Sequence, residues 1–219
     1  MPSINALERY SNRLQDVHLI TGDGLSSNIY VIGKKHVTII DTGIGNDANT
    51  IWPQLREIDI QPENVEQIVL THSHHDHAMG LFRILNLIKP VVYIHKNTLE
   101  NIRMDIAGKI TQVDDGFTLN TEIFPLRVIW TPGHTEGGIC LFQEEKSLLF
   151  SGDTVFPGGS FGRFDLHSGS LPKLIQSLKK LSELDVEVML PGHGGPIFQK
   201  ASSQIQASYE NAVMLYKSR

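Results

Sequence analysis

Four histidines and one aspartate crowd into six consecutive positions of the stretch THSHHDHAMG, residues 71–80. Neutral imidazole and carboxylate groups are ligands of Zn²⁺, Fe and Mn²⁺ in proteins. The stretch lies inside the chain, between the apolar run IVL and a segment rich in Leu and Ile, which is not typical of a tag or a low-complexity tract. We therefore interpret these residues as part of a metal site.

Other apolar runs also lead into a metal-binding residue type. VIW, LLF and VML are followed by His134, Asp153 and His193, and a glycine directly precedes each of these three residues. Glycine lets the backbone turn sharply, and loops at strand ends expose side chains along one edge of a sheet. Together with His72 after IVL, the pattern predicts four strands that deliver ligands to one point.

The spacing within the histidine-rich stretch suggests which ligands act together. Residues two apart in an extended loop face the same side, so His72 and His74 could form a three-nitrogen site with His134. His75 faces the other way and is expected to lie outside the ligand set.

A second set of ligands follows at the entrance of the next helix. Asp76 and His77 could face a second metal together with His193. Asp153 offers two carboxylate oxygens and could bridge both metals.

The elements that must position these ligands can be predicted from apolar spacing and turn residues. Predicted strands cover residues 17–20, 28–32, 36–41, 67–70, 91–94, 127–130, 139–142, 147–150 and 186–190. Predicted helices cover residues 49–58, 78–88, 171–184 and 201–218, and the second of them is expected to be largely buried. Residues 155–169 are predicted to be a Gly-rich loop.

Composition limits the class of protein. With 219 residues, 40% of them apolar and 20% charged, we expect a single globular domain over 1–219. A net charge of −5 without a basic run argues against nucleic acid as a partner. The sequence lacks a signal-peptide pattern and an apolar stretch long enough to span a bilayer, and Cys140 is its one cysteine. We expect a cytoplasmic protein with a small-molecule substrate and no membrane partner, and homo-oligomer formation stays open.

These residues resemble the metallo-β-lactamase superfamily. THSHHDH matches its H-x-H-x-D-H signature, and TPGHTEGG, FSGDTVF and PGHGG match its later ligand motifs in order. SSNIYVI and IIDTG match its N-terminal strands. The resemblance implies an α/β (α+β) fold, an αββα sandwich of two mixed β-sheets flanked by helices, with the metal site at one edge between the sheets.

The resemblance also implies roles for individual residues. Two divalent metal ions are expected per chain, with zinc as the expected metal and iron or manganese as alternatives. Asp41 of IIDTG is expected to support the site from behind the ligands, and Asp76 is expected to act in catalysis as well as in metal binding. The implied metal ligands are His72, His74, Asp76, His77, His134, Asp153 and His193.

Departures from other branches narrow the expected activity. β-Lactamases of this fold generally lack the bridging aspartate that Asp153 supplies, and redox di-iron members carry Glu where this chain has His74. Nucleases of the superfamily need extra arms or an inserted domain. The motifs are most similar to glyoxalase II-like proteins, which hydrolyse acyl-glutathione thioesters, although residues 197–219 leave room for only about one helix where glyoxalase II has a longer glutathione-binding region.

The leading interpretation is therefore hydrolysis of a thioester or ester by a metal-bridging hydroxide. The alternatives are a mono-iron persulfide dioxygenase-like oxidoreductase and a lactonase or phosphodiesterase of the same fold. We expect Arg163 to bind an anionic end of the substrate, and Phe161 and Phe164 to line the pocket.

Overall fold

Two β-sheets dominate the computed structural model, which describes residues 3–45, 51–98 and 109–218. The strands of the first sheet are β1 (Ile4–Ala6), β2 (Val17–Ile20), β3 (Ile29–Ile32), β4 (Val37–Ile40), β5 (Val65–Val69), β6 (Val91–His95) and β7 (Lys109–Val113), side by side in chain order. β1 to β4 pair antiparallel, and β4 to β7 pair parallel. The sheet is therefore mixed.

The second sheet is also mixed. Its strands are β8 (Thr118–Asn120), β9 (Pro125–Trp130), β10 (Ile139–Gln143), β11 (Leu148–Gly152) and, after the two-stranded pair β12 (Val155–Phe156) and β13 (Ser160–Phe161), β14 (Val188–Pro191). Their spatial order is β14-β11-β10-β9-β8, and β11 with β14 is the parallel pair.

Helices cover the outer faces of both sheets. They are α1 (Trp52–Glu57), α2 (His75–Ala78), α3 (Gly80–Leu85), α4 (Leu171–Ser182) and α5 (Ala201–Lys217). One apolar cluster contains residues of both sheets, such as Ile40 and Phe150. A second joins the first sheet to α1 and α3, and a third joins the second sheet to α4 and α5. These three apolar layers form the αββα sandwich that the resemblance to the superfamily implied.

Strand direction explains why the ligand loops meet. β4 and β5 are parallel, so both end at the same edge of the first sheet. In the second sheet β9 and β11 both run antiparallel to β10, and β14 runs parallel to β11, so these three strands also end at one edge. Each strand of both sets is followed within four residues by one of the candidate ligands or by Asp41.

The helix predicted over residues 78–88 is wrong in its extent and burial. The chain forms the short helices α2 and α3 instead, and Met79, Phe82 and Leu87 are exposed, Leu87 to 64%. Met79 lies between the two helices, and the backbone N–H of Gly80, the first residue of α3, donates to the carbonyl oxygen of Gly43 at 2.9 Å. Gly80 lies against the backbone of Thr42, where an added Cβ would be 1.9 Å from the carbonyl oxygen. The sequence pattern could not indicate this approach of two distant segments.

Other differences concern element bounds. Strands β1, β7 and β8 lie where no strand was predicted, and the predicted loop 155–169 contains the pair β12 and β13. The helix predicted from Asn49 begins at Trp52, and Asn49 itself lies outside the described residues. In the described ranges we find no helix with the length and apolar character needed to cross a lipid bilayer.

The layered core gives a stability prediction. Leu141 is fully buried between the sheets, whereas Leu87 is mostly exposed. We expect Leu141→Ala to lower the free energy of unfolding by about 2–5 kcal/mol, because it leaves a cavity in a packed core. Leu87→Ala, the matched control, should change it by less than about 0.5 kcal/mol. Urea denaturation of the metal-free proteins measures both values, and equal losses would contradict the assignment of these layers.

Candidate metal centre

Two groups of three side chains converge where the strands end. In the first group the Nε2 atom of His72 lies 3.1 Å from Nδ1 of His74, which lies 2.9 Å from Nε2 of His134. The ligand atoms of these three residues all lie within 4.8 Å of one another. Nitrogens that bind one tetrahedral zinc ion at ~2.0–2.1 Å lie roughly 3.3 Å apart. The group therefore has nearly the spacing of a metal-bound triad.

The second group contains Asp76, His77 and His193. Nε2 of His193 lies 3.2 Å from Nε2 of His77 and 3.0 Å from an oxygen of Asp76. His77 is fully buried, whereas His193 and Asp76 are partly exposed. The group can hold a second metal ion with one open side.

Asp153 connects the two groups. One carboxylate oxygen, Oδ1, lies 3.2 Å from Nε2 of His77, and the other, Oδ2, lies 3.7 Å from Nε2 of both His134 and His193. His72, His77 and Asp153 also form a third candidate metal-binding group. Oδ1 is buried and accepts no hydrogen bond of normal geometry. A bound metal ion would give this oxygen the partner that it lacks.

The partners of the histidine Nδ1 atoms fix which nitrogens are free to bind a metal. Nδ1 of His134 lies 2.7 Å from the carbonyl oxygen of Arg163, and Nδ1 of His77 lies 2.8 Å from a carboxylate oxygen of Asp41. Both oxygens can only accept, so both Nδ1 atoms carry the proton. In the neutral form of each ring the Nε2 lone pair therefore points into the centre, as metal ligation requires.

Asp41 and Thr71 extend this arrangement to a third histidine. Asp41 accepts hydrogen bonds from the Thr71 backbone N–H and hydroxyl, both at 2.7 Å. Because the hydroxyl already donates its one hydrogen bond to Asp41, it accepts a hydrogen bond from Nδ1 of His72 at 3.0 Å. One buried carboxylate thus orients His77 directly and His72 through Thr71.

Two glycines let the backbone approach the ligands closely. A Cβ on Gly192 would lie 2.3 Å from an oxygen of Asp153 and 2.7 Å from the His77 ring. A Cβ on Gly162 would lie 1.9 Å from the Asp153 carbonyl oxygen. The loops over the centre therefore leave no room for side chains at these positions.

The first group stays neutral near pH 7. Burial lowers the pKa of His72 well below its ordinary value, and neighbouring His77 and His134 lower it further. Burial and His134 lower the pKa of His74 to about 4, and burial also lowers the pKa of His134. Neutral imidazole is the form that binds metals. These three rings therefore do not have to release a proton when a metal ion binds.

Neighbouring carboxylates determine the charge of the second group. Burial opposes a charge on His77, but Asp41 and Asp153 outweigh it and raise the pKa of His77 to about 10. Burial alone would raise the pKa of Asp76, yet the hydrogen bond from His193 and the nearby His77 lower it to about 2. A proton on His77 and the second metal ion therefore compete as counter-charges for the same carboxylates.

A pocket of about 730 Å³ opens over both groups. Its lining includes the apolar residues Leu25 and Leu166 and the polar residues His75, His167 and Arg163. The pocket leaves the ligands accessible to a small molecule.

The residues predicted to contact substrate lie in different places. Arg163 lines the pocket, but its exposed guanidinium forms a bidentate ion pair with Asp165 at 2.9 and 3.0 Å. Phe161 and Phe164 pack against the apolar layer beneath α4 and α5, and they are not among the described residues that line the pocket. His75 is exposed at the pocket and lies outside the three donor groups found among the described residues.

Several contributors to the site had no sequence signal of their own. Thr71, the carbonyl group of Arg163 and the pocket residues Leu25 and Leu166 were not singled out. Thr71 directly precedes the first ligand and its hydroxyl can bond locally, which is the one hint that the sequence offers. A backbone carbonyl contributed by a distant loop leaves no trace in residue type.

Comparisons with known proteins agree with this geometry. A family model described as "Metallo-beta-lactamase superfamily" matches residues 22–193. A "Probable metallo-hydrolase" of Methanocaldococcus jannaschii is 30% identical over 194 residues, 80% of this chain and 91% of its own length. A "Beta-lactamase-like protein 2 homolog" of Caenorhabditis elegans is 29% identical over 220 residues, 96% of this chain and 72% of its own. An "Atrochrysone carboxyl ACP thioesterase" of Aspergillus fumigatus is 30% identical over 178 residues, 78% of this chain and 51% of its own length.

Solved structures share the fold. A metallo-beta-lactamase family protein of Thermus thermophilus superposes with a TM-score of 0.78 at 22% identity, over 94% of this chain and 82% of its own. TTHA1623, solved in a di-iron-bound form, superposes with a TM-score of 0.67 at 25% identity, over 82% of this chain and 93% of its own.

The hydrogen bonds of Asp41 give a prediction about metal binding. In Asp41→Asn, the amide NH₂ must face either the Thr71 backbone N–H or the proton on His77, because each carboxylate oxygen of Asp41 accepts from a donor. We expect His77 to change tautomer or to rotate, so metal affinity at the Asp76–His77–His193 group should fall about 10- to 100-fold. Equilibrium dialysis against Zn²⁺ measures it, and unchanged occupancy at both groups would contradict the role of Asp41.

Proposed function

Because this chain belongs to the metallo-β-lactamase superfamily, we propose that it is a binuclear metal-dependent hydrolase that cleaves thioester or ester bonds. The observation that carries the proposal is the convergence of two donor groups, joined by Asp153, beneath a single pocket. Each group offers three ligand atoms, and Asp153 faces nitrogens of both. The donors of histidine nitrogen and carboxylate oxygen suit zinc, iron or manganese.

The chemistry divides between the metal ions and the side chains. Two bound divalent ions would supply a hydroxide nucleophile near neutral pH and positive charge for the oxyanion that develops on the attacked carbonyl. Asp76 lines the pocket and its lowered pKa keeps it ionised, so it can accept a hydrogen bond from the attacking water and hold it. Asp41, Thr71 and the Arg163 carbonyl keep three imidazoles in one tautomer and orientation.

The pocket supports an acyl substrate better than a phosphodiester. Leu25 and Leu166 give an apolar side that an acyl chain can contact. Arg163 is the one arginine among the described residues of the lining, so the pocket offers a single guanidinium to an anionic group rather than the several cations that a phosphate backbone attracts. The fungal relative named as a thioesterase supports the same bond type. The glyoxalase II-like branch stays a prediction from the motifs.

The alternative function, a mono-iron oxidoreductase, differs in the number of metal ions that the site would bind. One metal ion would occupy one donor group and leave the other without an occupant. Asp76, His77 and His193 converge as closely as the first three residues, which favours two metals. Metal content therefore separates the two alternatives.

The proposal is tested by metal analysis together with a substrate panel. Protein purified without chelator and then saturated with Zn²⁺ should hold about two equivalents per chain. It should hydrolyse a chromogenic thioester or ester faster than a lactone or a bis(aryl) phosphodiester. One equivalent, unchanged by added metal and accompanied by oxygen uptake with a persulfide, would contradict the proposal.

The bridging carboxylate provides a sharper form of the same test. Asp153→Ala should lower both metal content and hydrolysis at least about tenfold, because the two groups lose the ligand that they share. His75→Ala is the matched control from the same pocket and should retain both metals and most of the activity. Normal metal content and activity in Asp153→Ala would remove Asp153 from the centre.

Arg163 is proposed to bind an anionic end of the substrate. Arg163→Ala should raise KM for an acidic thioester up to about tenfold and leave kcat unchanged, because an exposed charge pair contributes about 1 kcal/mol. The backbone carbonyl that orients His134 remains in this variant. A neutral ester of similar size should show no change.

Asp165→Ala provides the comparison for this variant. It frees the guanidinium from its ion pair, so KM for the acidic substrate should fall or stay constant. Equal effects of Arg163→Ala on acidic and neutral substrates would leave Arg163 as a loop-ordering residue.

A further inference from the structure

The connection between β2 and β3 contacts the Asp76–His77–His193 group, although none of its own side chains belongs to the candidate ligands. It ends with residues 26–28, the first three of the motif SSNIYVI, which the proposed chemistry does not use. The backbone N–H of Ser27 donates to the carbonyl oxygen of Asp76 at 3.0 Å. The next residue, Asn28, is buried and faces the loop that carries His193.

Asn28 bonds to the His193 loop on both sides of that ligand. Its Nδ2 atom donates to the carbonyl oxygens of Pro191 at 3.0 Å and Gly194 at 2.9 Å. Its backbone N–H donates to the carbonyl oxygen of Gly192 at 2.7 Å. Three carbonyl groups that flank His193 therefore share one residue as their donor.

The amide of Asn28 is fully used in this arrangement. Its Oδ1 atom accepts from the backbone N–H of Gly22 at 3.2 Å, which fixes the amide with its NH₂ group toward the loop. A carboxylate or a hydroxyl of similar size cannot donate two hydrogen bonds at once. The geometry thus requires asparagine at this position.

The His193 loop needs such support because the strand has already ended. β14 stops at Pro191, and Gly194 has a φ of +78°, so the chain turns sharply around the ligand. Gly192 must lie against Asp153 and His77 without a side chain. Tyr30 adds one more hydrogen bond to the Pro191 carbonyl, at 2.8 Å.

We propose that Asn28 is a positioning residue that holds His193, and with it the Asp76–His77–His193 group, without acting on the group of His72, His74 and His134. The inference rests on the proposed binuclear site. Among the described residues, the hydrogen bonds of residues 26–28 run to Asp76, to the 191–194 loop, to Gly22, to Asp23 and to Ile44. Loss of Asn28 should therefore affect one metal site selectively.

Cobalt titration of the whole chain tests the selectivity. Co²⁺ bound at each group contributes its own visible absorption, and the wild type should titrate in two phases. His193→Ala and His74→Ala identify the phases by removing one ligand from each group. In Asn28→Ala, the phase that His193→Ala abolishes should weaken about 10- to 100-fold, and the phase that His74→Ala abolishes should keep its affinity.

Two more variants separate positioning from general destabilisation. Asn28→Asp keeps the acceptor for Gly22 and replaces the two donors, so it should show the same selective loss. Ser202→Ala removes a hydroxyl that bonds the backbone of Val186 at 2.8 and 3.0 Å and bonds neither a candidate ligand nor the 191–194 loop, so it should lower thermal stability with both phases unchanged.

Each result has a defined meaning. Unchanged phases in both Asn28 variants, or equal weakening of both phases, would overturn the positioning role. If Asn28→Ala and Asn28→Asp fail to fold, Tyr30→Phe, which removes one donor from the Pro191 carbonyl, should give a few-fold loss in the same single phase, and no loss there overturns the proposal. A wild type that binds only one equivalent of Co²⁺ would instead contradict the binuclear function.

Discussion

A buried carboxylate must find its hydrogen bonds inside the protein, and the carboxylate of Asp41 finds them at the metal centre, with the ligand His77 and with Thr71, which bonds the ligand His72. It is 2% exposed and accepts from the Thr71 backbone, the Thr71 hydroxyl and His77. Its φ of 59° turns the chain at the end of β4 toward the end of the parallel strand β5. Because an unpaired buried charge is costly, the strand ends and the two histidines are held in one relative position. The other candidate ligands are arranged around Asp41, Thr71 and the two histidines that they orient.

The two halves of the centre differ in their electrostatics. Three rings in the first half lie among other imidazoles, and burial keeps them neutral. The second half has carboxylates on both sides of His77, which favour a cation at that position. In the metal-free protein a proton on His77 fills that role, so metal binding there must displace it. The protein thus separates a set of ready donors from a set that exchanges one cation for another.

The sequence was most informative where residue type alone decides the outcome. Apolar β-branched runs predicted the strands that bury both faces, and a glycine followed by His or Asp predicted the turns after β9, β11 and β14. The meeting of the candidate ligands followed from these strands, whereas the αββα arrangement was implied by the resemblance to the superfamily. Short strands such as β1 and β8 were missed because they depend on pairing with a neighbour that the sequence does not reveal.

The parts that sequence could not predict depend on contacts between distant segments. Gly80, where α3 begins, lies against the backbone of Thr42, and the Arg163 backbone orients His134. Aromatic residues near the site suggested a pocket wall, but Phe161 and Phe164 pack inward and Leu25 and Leu166 take that place. An apolar residue in a loop has the same sequence pattern whether it faces the core or a pocket.

The pocket residues Leu25 and Leu166 and the candidate ligands occupy different positions in the sequence, and this separation affects how the protein can evolve. Leu25 and Leu166 lie in loops where neighbouring residues carry no candidate ligand side chain, so their replacement would alter which molecules enter without touching the reactive groups. Residues 26–28, immediately after Leu25, are bound to the backbones of Asp76 and the His193 loop. We therefore expect selection for new substrates to tolerate changes at position 25 and few changes at positions 26–28. A library that varies the tip of this connection and spares its last three residues would explore specificity while preserving the chemistry.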